Sequence, residues 1–125
     1  MNVRPFHLAL PTRDLEKTRH FYCDILGCET GRETQDWIDL NLFGHQLVFH
    51  VSGGEPLTTT HNTVDTHSVP IPHFGVVLTP DEHRAFSQRI TGKVQMIIEP
   101  AVRFEGTTGE QRTLFSEDPN GYALE

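Results

Sequence analysis

Three side chains, far apart in the sequence, have the chemistry to hold one divalent metal ion. His7 stands in a short apolar run near the N-terminus, His73 stands in a second such run, and Glu125 closes the chain after an Asp-Pro-Asn-Gly turn sequence. Two imidazoles and one carboxylate bind divalent first-row metals and leave coordination positions open. A catalytic site needs those open positions, because water or substrate must reach the metal. We therefore predict that His7, His73 and Glu125 are ligands of one metal ion.

The strand pattern around these residues favours the same grouping. Residues 5–11 alternate, which puts His7 on the face opposite the larger apolar side chains. Residues 73–78 do the same for His73, and the last strand does so for Glu125. Each candidate ligand is thus expected to point away from the core, next to small or modest neighbours.

A helix is expected after each histidine-containing strand. The first begins at Thr12 or Asp14 and ends at Gly27, and the second begins with a capping box at Thr79 and ends at Gly92. About three strands follow each helix, so the chain contains a βαβββ pattern twice. Those expected strands include Trp37–Phe43, Gln46–Val51, Val94–Glu99, Gln111–Ser116 and residues 122–125.

The length of 125 residues predicts one domain over residues 1–125. Module 1 covers about 1–52, a linker covers 53–71, and module 2 covers about 72–125. The linker is rich in polar residues, and we expect a connecting loop of about 20 residues there. A ferredoxin-like domain without the paired repeat is the main alternative.

Charge and composition exclude several partners. The net charge is −7 and the ten basic residues are scattered, which argues against nucleic acid or an anionic membrane. We expect neither a signal peptide nor a membrane span. Cys23 and Cys28 do not form a Cys-x-x-Cys pair and indicate reduced thiols in a cytoplasmic protein. A thiol nucleophile at either cysteine is a further, less favoured interpretation.

The repeat and its motifs resemble the vicinal oxygen chelate superfamily, which includes glyoxalase I, extradiol dioxygenases, fosfomycin resistance enzymes and bleomycin resistance proteins. The resemblance lies in Phe6–Leu10, Phe21–Gly27 and Asp118–Glu125, and it covers essentially the whole chain. It implies an α+β fold in which two paired βαβββ modules form a curved mixed sheet around a metal-binding cleft. Short members are commonly homodimers that build each site from both chains.

The same resemblance assigns roles to residues. It implies ligands on the first strand of each half, His7 and His73, and on the last strand of the second half, Glu125. The last strand of the first half offers His50, where glyoxalase I has a glutamate that serves as ligand and base. A His-His-Glu set is instead that of the dioxygenases and fosfomycin enzymes, so His50 is expected to act as a nearby catalytic base or acid.

The function expected is that of a metal-dependent enzyme that binds a small substrate through two neighbouring oxygens. Fe(II) would suit extradiol ring cleavage, whereas Ni(II), Zn(II) or Mn(II) would suit a glyoxalase I-like lyase or isomerase, or a glutathione or thiol transferase. A metal-free protein that sequesters a cationic drug, like the bleomycin resistance proteins, is the alternative from another class. His45 and Tyr22 are weaker catalytic candidates, and the helix core is the favoured place for Tyr22. Arg103 could pair with a substrate anion, but an exposed loop position is the favoured interpretation.

Overall fold

Two units with the same strand order make up the chain. The coordinates are a computed structural model, which describes residues 2–55 and 58–125. The units are Met1–Pro56 and Leu57–Glu125, and each has its own mixed sheet with a helix between the first and second strands of its βαβββ pattern. The α+β class and the repeated pattern predicted from the sequence are confirmed.

The first unit is built on a four-stranded sheet in the order β1-β4-β3-β2. Strand β1 runs parallel to β4, and the other neighbours are antiparallel. A short α-helix follows β1 and continues directly as a π-helical segment before β2. The elements are β1 (His7–Thr12), α1 (Leu15–Arg19), the π-helical segment (His20–Ile25), β2 (Glu29–Glu33), β3 (Trp37–Leu42) and β4 (His45–Val51).

The start and the end of this helical stretch follow the sequence signals. The Asp14 carboxylate accepts a hydrogen bond from the Lys17 backbone N–H at 3.0 Å, which satisfies one of the free donors of the first turn. Gly27 ends the stretch with a φ of +86°, a conformation that favours glycine. Tyr22 is fully buried and lies 5.1 Å from the Phe49 ring, between ring centroids, so it is a core residue.

Strand β2 has no apolar alternation, and the sequence did not locate it. Its residues, Glu29–Glu33, are all exposed at the edge of the sheet. An edge strand pairs through its backbone on one side and need not carry a hydrophobic pattern. Gly31 lets it approach β3 closely, since an added Cβ would lie 3.2 Å from the Cβ of Asp39.

The second unit repeats the strand order as β7-β10-β9-β8, with β7 parallel to β10. A separate two-stranded hairpin precedes this sheet in the sequence. The elements are β5 (Thr60–Val64), β6 (His67–Ile71), β7 (His73–Phe74), α2 (Pro80–Ile90), β8 (Gln95–Arg103), β9 (Gln111–Glu117) and β10 (Ala123–Leu124). Strand β7 is shorter than the residues 73–78 that alternation suggested.

The prediction of a structureless loop over residues 53–71 was wrong. Residues 60–71 form the β5–β6 hairpin, while residues 56 and 57 of the predicted linker lie outside the described residues. The strands are polar, and their turn places Asp65 and Thr66 at positive φ without a glycine. Neither the alternation nor the Gly-containing turn that marks a hairpin is therefore present in the sequence.

Helix α2 begins with the predicted capping box. The Thr79 hydroxyl accepts from the Glu82 backbone N–H at 3.2 Å, and the Glu82 carboxylate accepts from the Thr79 N–H at 2.9 Å. Ile90 is completely buried at the other end of the helix. Along the described residues, no helix has the length and apolar character needed to cross a membrane.

Candidate functional site

His73 has one ring nitrogen fixed by the chain that leads into it. Its Nδ1 lies 2.7 Å from the backbone oxygen of Pro70, and because a carbonyl only accepts, Nδ1 carries the proton. The imidazole and the Phe115 ring also pack nearly perpendicular to each other, with 5.0 Å between ring centroids. The other nitrogen, Nε2, is left with its lone pair available as a ligand. Metal-binding histidines commonly have this arrangement, in which the second nitrogen donates to a carbonyl or carboxylate.

Glu125 is held beside His73 by its backbone. Its N–H donates to the Phe74 oxygen at 2.8 Å, and its own carbonyl accepts from the Val76 N–H at 3.2 Å. Gly75, between these two partners, leaves the room that this pairing needs, since a Cβ there would lie 1.6 Å from the Glu125 carbonyl oxygen. The Glu125 side chain therefore starts from a fixed point on the edge next to β7.

The side chains of these two residues meet in a pair that suits a cation. His73 Nε2 and Glu125 Oε2 are 3.2 Å apart, and the two side chains are 29% and 33% exposed. With the proton on Nδ1, a lone pair on Nε2 faces a carboxylate, so either a second proton or a positive ion must lie near both atoms. One neutral imidazole and one carboxylate are ligands that divalent first-row metals accept, so these residues fit the predicted metal.

His7 shows the same arrangement in the first unit. Its Nδ1 is 2.7 Å from the side-chain oxygen of Gln46, its direct partner across β1 and β4, so Nε2 is again the nitrogen left to bind. Residues 2–55 and 58–125 contain no cluster of three or more His, Cys, Asp or Glu side chains arranged to hold a metal. The structure thus brings together His73 and Glu125, and their grouping with His7 stays a prediction.

His50 lies further along β4 than the position that corresponds to Glu125. Glu125 stands opposite Gly75, two residues after His73, whereas the residue opposite Ala9, two residues after His7, is the buried Val48. His50 is opposite Pro11, roughly 13 Å along the strand from His7 at about 3.3 Å per residue. Its ring lies 6.4 Å from that of Trp37, between centroids. The catalytic role of His50 remains a prediction.

His45 and Cys23, two weaker catalytic candidates, have contacts or surroundings that bear on their roles. His45 uses Nδ1 to accept a hydrogen bond from the Phe6 N–H at 2.8 Å at the start of β4. Burial raises the pKa of the Cys23 thiol, an effect that Arg19 opposes and that Asp24 and Glu33 reinforce. A raised pKa disfavours the thiolate, which is the nucleophilic form, so the interpretation of Cys23 as a nucleophile loses support.

Arg103 is not the exposed loop residue that the sequence favoured. It is the last residue of β8, is only 2% exposed, and donates from Nη2 to the backbone oxygen of Val64 at 2.7 Å. Its Nε is 3.8 Å from the Asp65 carboxylate. The Gly-rich polar sequence after it suggested an exposed position, and the hairpin that covers it was not predicted.

Sequence reasoning missed the residues that orient the candidate ligands. The Pro70 carbonyl, the Gln46 amide and Gly75 each act on a histidine or on Glu125, as described above. A backbone carbonyl leaves no trace in the residue type, and Gln46 is recognisable only once the register of β1 on β4 is known. Gly75 lies two residues after His73, so strand alternation alone puts both on one face, and that spacing was the available signal.

Comparison with known proteins agrees with this architecture. The family model described as Glyoxalase/Bleomycin resistance protein/Dioxygenase superfamily matches residues 4–125. A glyoxalase/bleomycin resistance protein/dioxygenase from Alicyclobacillus acidocaldarius is 31% identical, with a TM-score of 0.81, over 97% of this chain and 87% of that one. A search of curated proteins found no match.

More distant solved structures share the fold. A genomically encoded fosfomycin resistance protein from Listeria monocytogenes is 19% identical, with a TM-score of 0.66, over 99% of this chain and 91% of that one. An oxidase, ChaP-H2, is 21% identical, with a TM-score of 0.65, over the same shares of the two chains. The family match over nearly the whole chain, with the repeated βαβββ units, shows that this protein belongs to the Glyoxalase/Bleomycin resistance protein/Dioxygenase superfamily, also called the vicinal oxygen chelate superfamily.

Proposed function

We propose that this protein is a metal-dependent enzyme that binds a small substrate through two neighbouring oxygen atoms, with extradiol ring cleavage as the favoured reaction. The metal ligands are His7, His73 and Glu125, and the metal is divalent, Fe(II) for the ring-cleaving reaction. The observation that carries the proposal is the His73–Glu125 pair, with 3.2 Å between Nε2 and Oε2 and with the Nδ1 proton of His73 held by Pro70. The bound metal supplies Lewis-acid polarisation of the substrate oxygens.

The chain's own residues prepare both histidines for this task. The Pro70 carbonyl and the Gln46 side-chain oxygen each accept a hydrogen bond from the Nδ1–H of one histidine, so Nε2 is the ring nitrogen that both histidines present to a metal. Such partners typically change metal affinity about 10–100-fold when removed. The Glu125 carboxylate balances part of the metal's charge, and its backbone pairing limits how far it moves. His50 is proposed as the acid or base that exchanges a proton with the substrate.

One observation separates this proposal from a glyoxalase I-like reaction. The resemblance implies a glutamate on the last strand of the first half of glyoxalase I, as ligand and base. Here the residue that corresponds in register to Glu125 is Val48, whose side chain has no ligating atom. A His-His-Glu set without a fourth carboxylate supports the dioxygenase or fosfomycin-enzyme type of centre. With Ni(II), Zn(II) or Mn(II), isomerisation or thiol addition is the alternative activity.

A metal-free drug-binding protein is the alternative outside enzymes. The net charge of −7 suits a cationic drug. Sequestration of a drug does not require two histidines whose Nδ1 protons are fixed by hydrogen bonds, so these two histidines favour the enzyme. Cys23 and Cys28 are not joined in a disulfide, which suits the cytoplasmic location that we propose. We also propose a homodimer in which each site takes residues from both chains.

The test is metal analysis followed by anaerobic Fe(II) loading and measurement of O₂ uptake with a panel of catechols. We expect uptake that depends on Fe(II) and disappears in His73→Ala and in Glu125→Gln. Absence of uptake with activity on a glutathione hemithioacetal would move the function to a glyoxalase. Absence of any bindable metal would favour the drug-binding protein.

Shared sites can be tested by mixing inactive variants. If His7 acts with His73 and Glu125 of another chain, His7→Ala and Glu125→Gln chains will together form some complete sites after exchange of subunits. We expect partial recovery of metal binding in the mixture and none in either variant alone. A mixture that recovers nothing after proven exchange would contradict sharing.

A further inference from the structure

Arg32 is directed across the first sheet by an irregularity in strand β2. The register of β2 on β3 shifts between Thr30 and Glu33, which leaves β2 with one residue more than β3 over this stretch. Such a β-bulge redirects a side chain, and bulges occur often at sheet edges and next to active sites. Both residues inside the bulge meet Asp39: an added Cβ on Gly31 would lie 3.2 Å from the Asp39 Cβ, and Arg32 Nε lies 3.2 Å from Asp39 Oδ2.

The guanidinium of Arg32 is held on two sides. Its Nε donates to the carboxylate of Asp39, a residue that is only 8% exposed, and its central carbon lies 5.7 Å from the centroid of the Trp37 ring. The Arg32 side chain is nevertheless 79% exposed. Among the residues that the structure describes, Asp39 is its only hydrogen-bond partner, and that bond uses Nε alone. The two Nη groups therefore remain as donors at an open surface.

This cluster lies on the face of the first sheet that carries His7. Asp39 is opposite Val48, and Val48 is opposite Ala9, which lies two residues after His7. Residues that pair directly share a face, so the side chains of Asp39 and His7 project from the same side of the sheet. Two strand spacings and two residues along the strand give roughly 12 Å between their Cα atoms. Both His7 and Ala9 are exposed, so this face is open within the first unit.

Neutralisation of Asp39 accounts for only part of this arrangement. A buried carboxylate needs a cation, so an ion pair is expected here whatever else the site does. The bulge and the packing on Trp37 add something that an ion pair does not require, because together they fix the plane of the Arg32 guanidinium. A planar fork held in one orientation is what bidentate binding of a carboxylate needs. It also lowers the entropy that the side chain loses when a ligand binds.

We propose that Arg32 binds a carboxylate of the substrate through its Nη groups, and that Asp39 and Trp37 position it for this task. The substrate class is then an anionic ring compound with two neighbouring oxygens, such as a catechol that carries a carboxylate on a short side chain. The inference rests on the proposed function for the two oxygens and for their place beside His7. Binding of the carboxylate itself requires no metal.

The experiment uses Trp37, the single tryptophan of the chain, as a fluorescent reporter beside Arg32. Metal-free and Co(II)-loaded protein are each titrated with dihydrocaffeate and with dihydrocaffeamide, which has a similar shape without the negative charge. We expect the wild type to bind the acid about tenfold more tightly than the amide, as hydrogen bonds to a charged group imply. The ratio of the two affinities is the quantity compared among variants.

Two variants of Arg32 and one matched control test the assignment. Arg32→Gln should bring the ratio close to one, whereas Arg32→Lys, which keeps the charge but lacks the planar fork, should keep a smaller preference for the acid. Arg19→Gln removes the same charge from an arginine that pairs with Glu33. Because Glu33 is opposite the buried Ile38, that pair belongs to the other face of the sheet. This control should keep the ratio of the wild type.

A double variant separates binding from a purely structural role. Arg32→Gln alone leaves the carboxylate of Asp39 without its cation and should lower stability. Arg32→Gln combined with Asp39→Asn removes both charges, keeps the net charge of the chain, and should recover stability in urea denaturation. The preference for the acid should stay lost in this variant. It also keeps the test valid if Arg32→Gln does not fold.

Several results would overturn the proposal. Equal affinity of the wild type for acid and amide would do so, as would no binding of the acid to either form of the wild type. A preference retained in folded Arg32→Gln, or in the double variant, would show that Arg32 serves only Asp39. If Arg32→Gln loses the preference but the wild type binds no metal, the proposed function fails and the carboxylate site stands. If the wild type takes up O₂ with catechols but Arg32→Gln treats acid and amide as the wild type does, the carboxylate site fails and the proposed function stands.

Discussion

Replacement of Gly75 by alanine tests how Glu125 is placed. An added Cβ would lie 1.6 Å from the carbonyl oxygen of Glu125, 2.6 Å from its carbonyl carbon and 3.0 Å from its nitrogen. All three atoms belong to the backbone, so no side chain can rotate away, and the end of the chain must separate from β7. Two backbone hydrogen bonds, with Phe74 and Val76, are broken or lengthened by that movement.

The magnitude follows from these contacts. Two hydrogen bonds contribute about 2 kcal/mol net, and overpacking costs a further 1–3 kcal/mol or so. Alanine restricts the unfolded chain more than glycine does, and this stabilises the folded state by roughly 0.4–1 kcal/mol. We therefore expect Gly75→Ala to lower the free energy of unfolding by about 2–5 kcal/mol, measured by urea denaturation. Metal affinity should fall as well, because the Glu125 carboxylate moves away from His73.

Gly109→Ala is the matched control in the same unit. There the nearest atom to an added Cβ is the Thr107 hydroxyl at 3.7 Å, an ordinary contact, and φ lies outside the left-handed range. We expect a change within about 0.5 kcal/mol and unaltered metal binding. If Gly75→Ala were as stable as this control and bound metal equally well, the argument that Gly75 makes room for Glu125 would be refuted.

Three other predictions concern the elements around the site. Asp118→Ala should lower the free energy of unfolding by about 2–3 kcal/mol in urea denaturation, because the buried carboxylate accepts hydrogen bonds from the backbone N–H groups of Asn120 and Tyr122 at 2.9 and 2.8 Å. Asp118→Asn keeps an acceptor and should cost less. Equal losses in the two variants would contradict this reasoning. Thr79→Ala should cost about 1 kcal/mol through loss of the α2 cap, and Ser87→Ala is a control inside the same helix. Burial, with a smaller effect of Arg112, lowers the pKa of His83, so the unfolded chain takes up that proton more readily and stability should fall as the pH drops from about 6.5. His83→Gln should reduce this acid-side loss, whereas an unchanged pH dependence of unfolding would exclude His83 as its source.

The parts of the fold that could be predicted are those that bury apolar side chains or use standard turn chemistry. Strands β3 and β4 alternate because one face is buried, and the Thr79–Glu82 capping box and the Asp118–Gly121 turn have strong residue preferences. Strand β2 and the β5–β6 hairpin bury little and were missed. Their pairing is set by backbone hydrogen bonds and by contacts such as those of Arg103, which no local pattern records.

The candidate site also has a part that could be predicted from the sequence and a part that could not. The candidate ligands could be named because residue type and strand phase reveal a histidine or a glutamate on the face away from the core. The groups that orient them could not, since the Pro70 carbonyl has no side-chain signature and Gln46 meets His7 through strand register. Register also explains why Val48, and not His50, lies opposite the residue two places after the first histidine.

Titration of the metal-free protein with Co(II), followed by absorption spectroscopy, tests the central claim most directly. We expect saturable binding in the wild type. Each of His7→Ala, His73→Ala and Glu125→Gln should lose more affinity than the roughly 10–100-fold that is typical when a residue that only orients a metal ligand is removed. His61→Ala, which removes an exposed histidine of the hairpin, should bind like the wild type. Wild-type affinity in His73→Ala or Glu125→Gln would contradict the account, as would equal losses in the His61→Ala control.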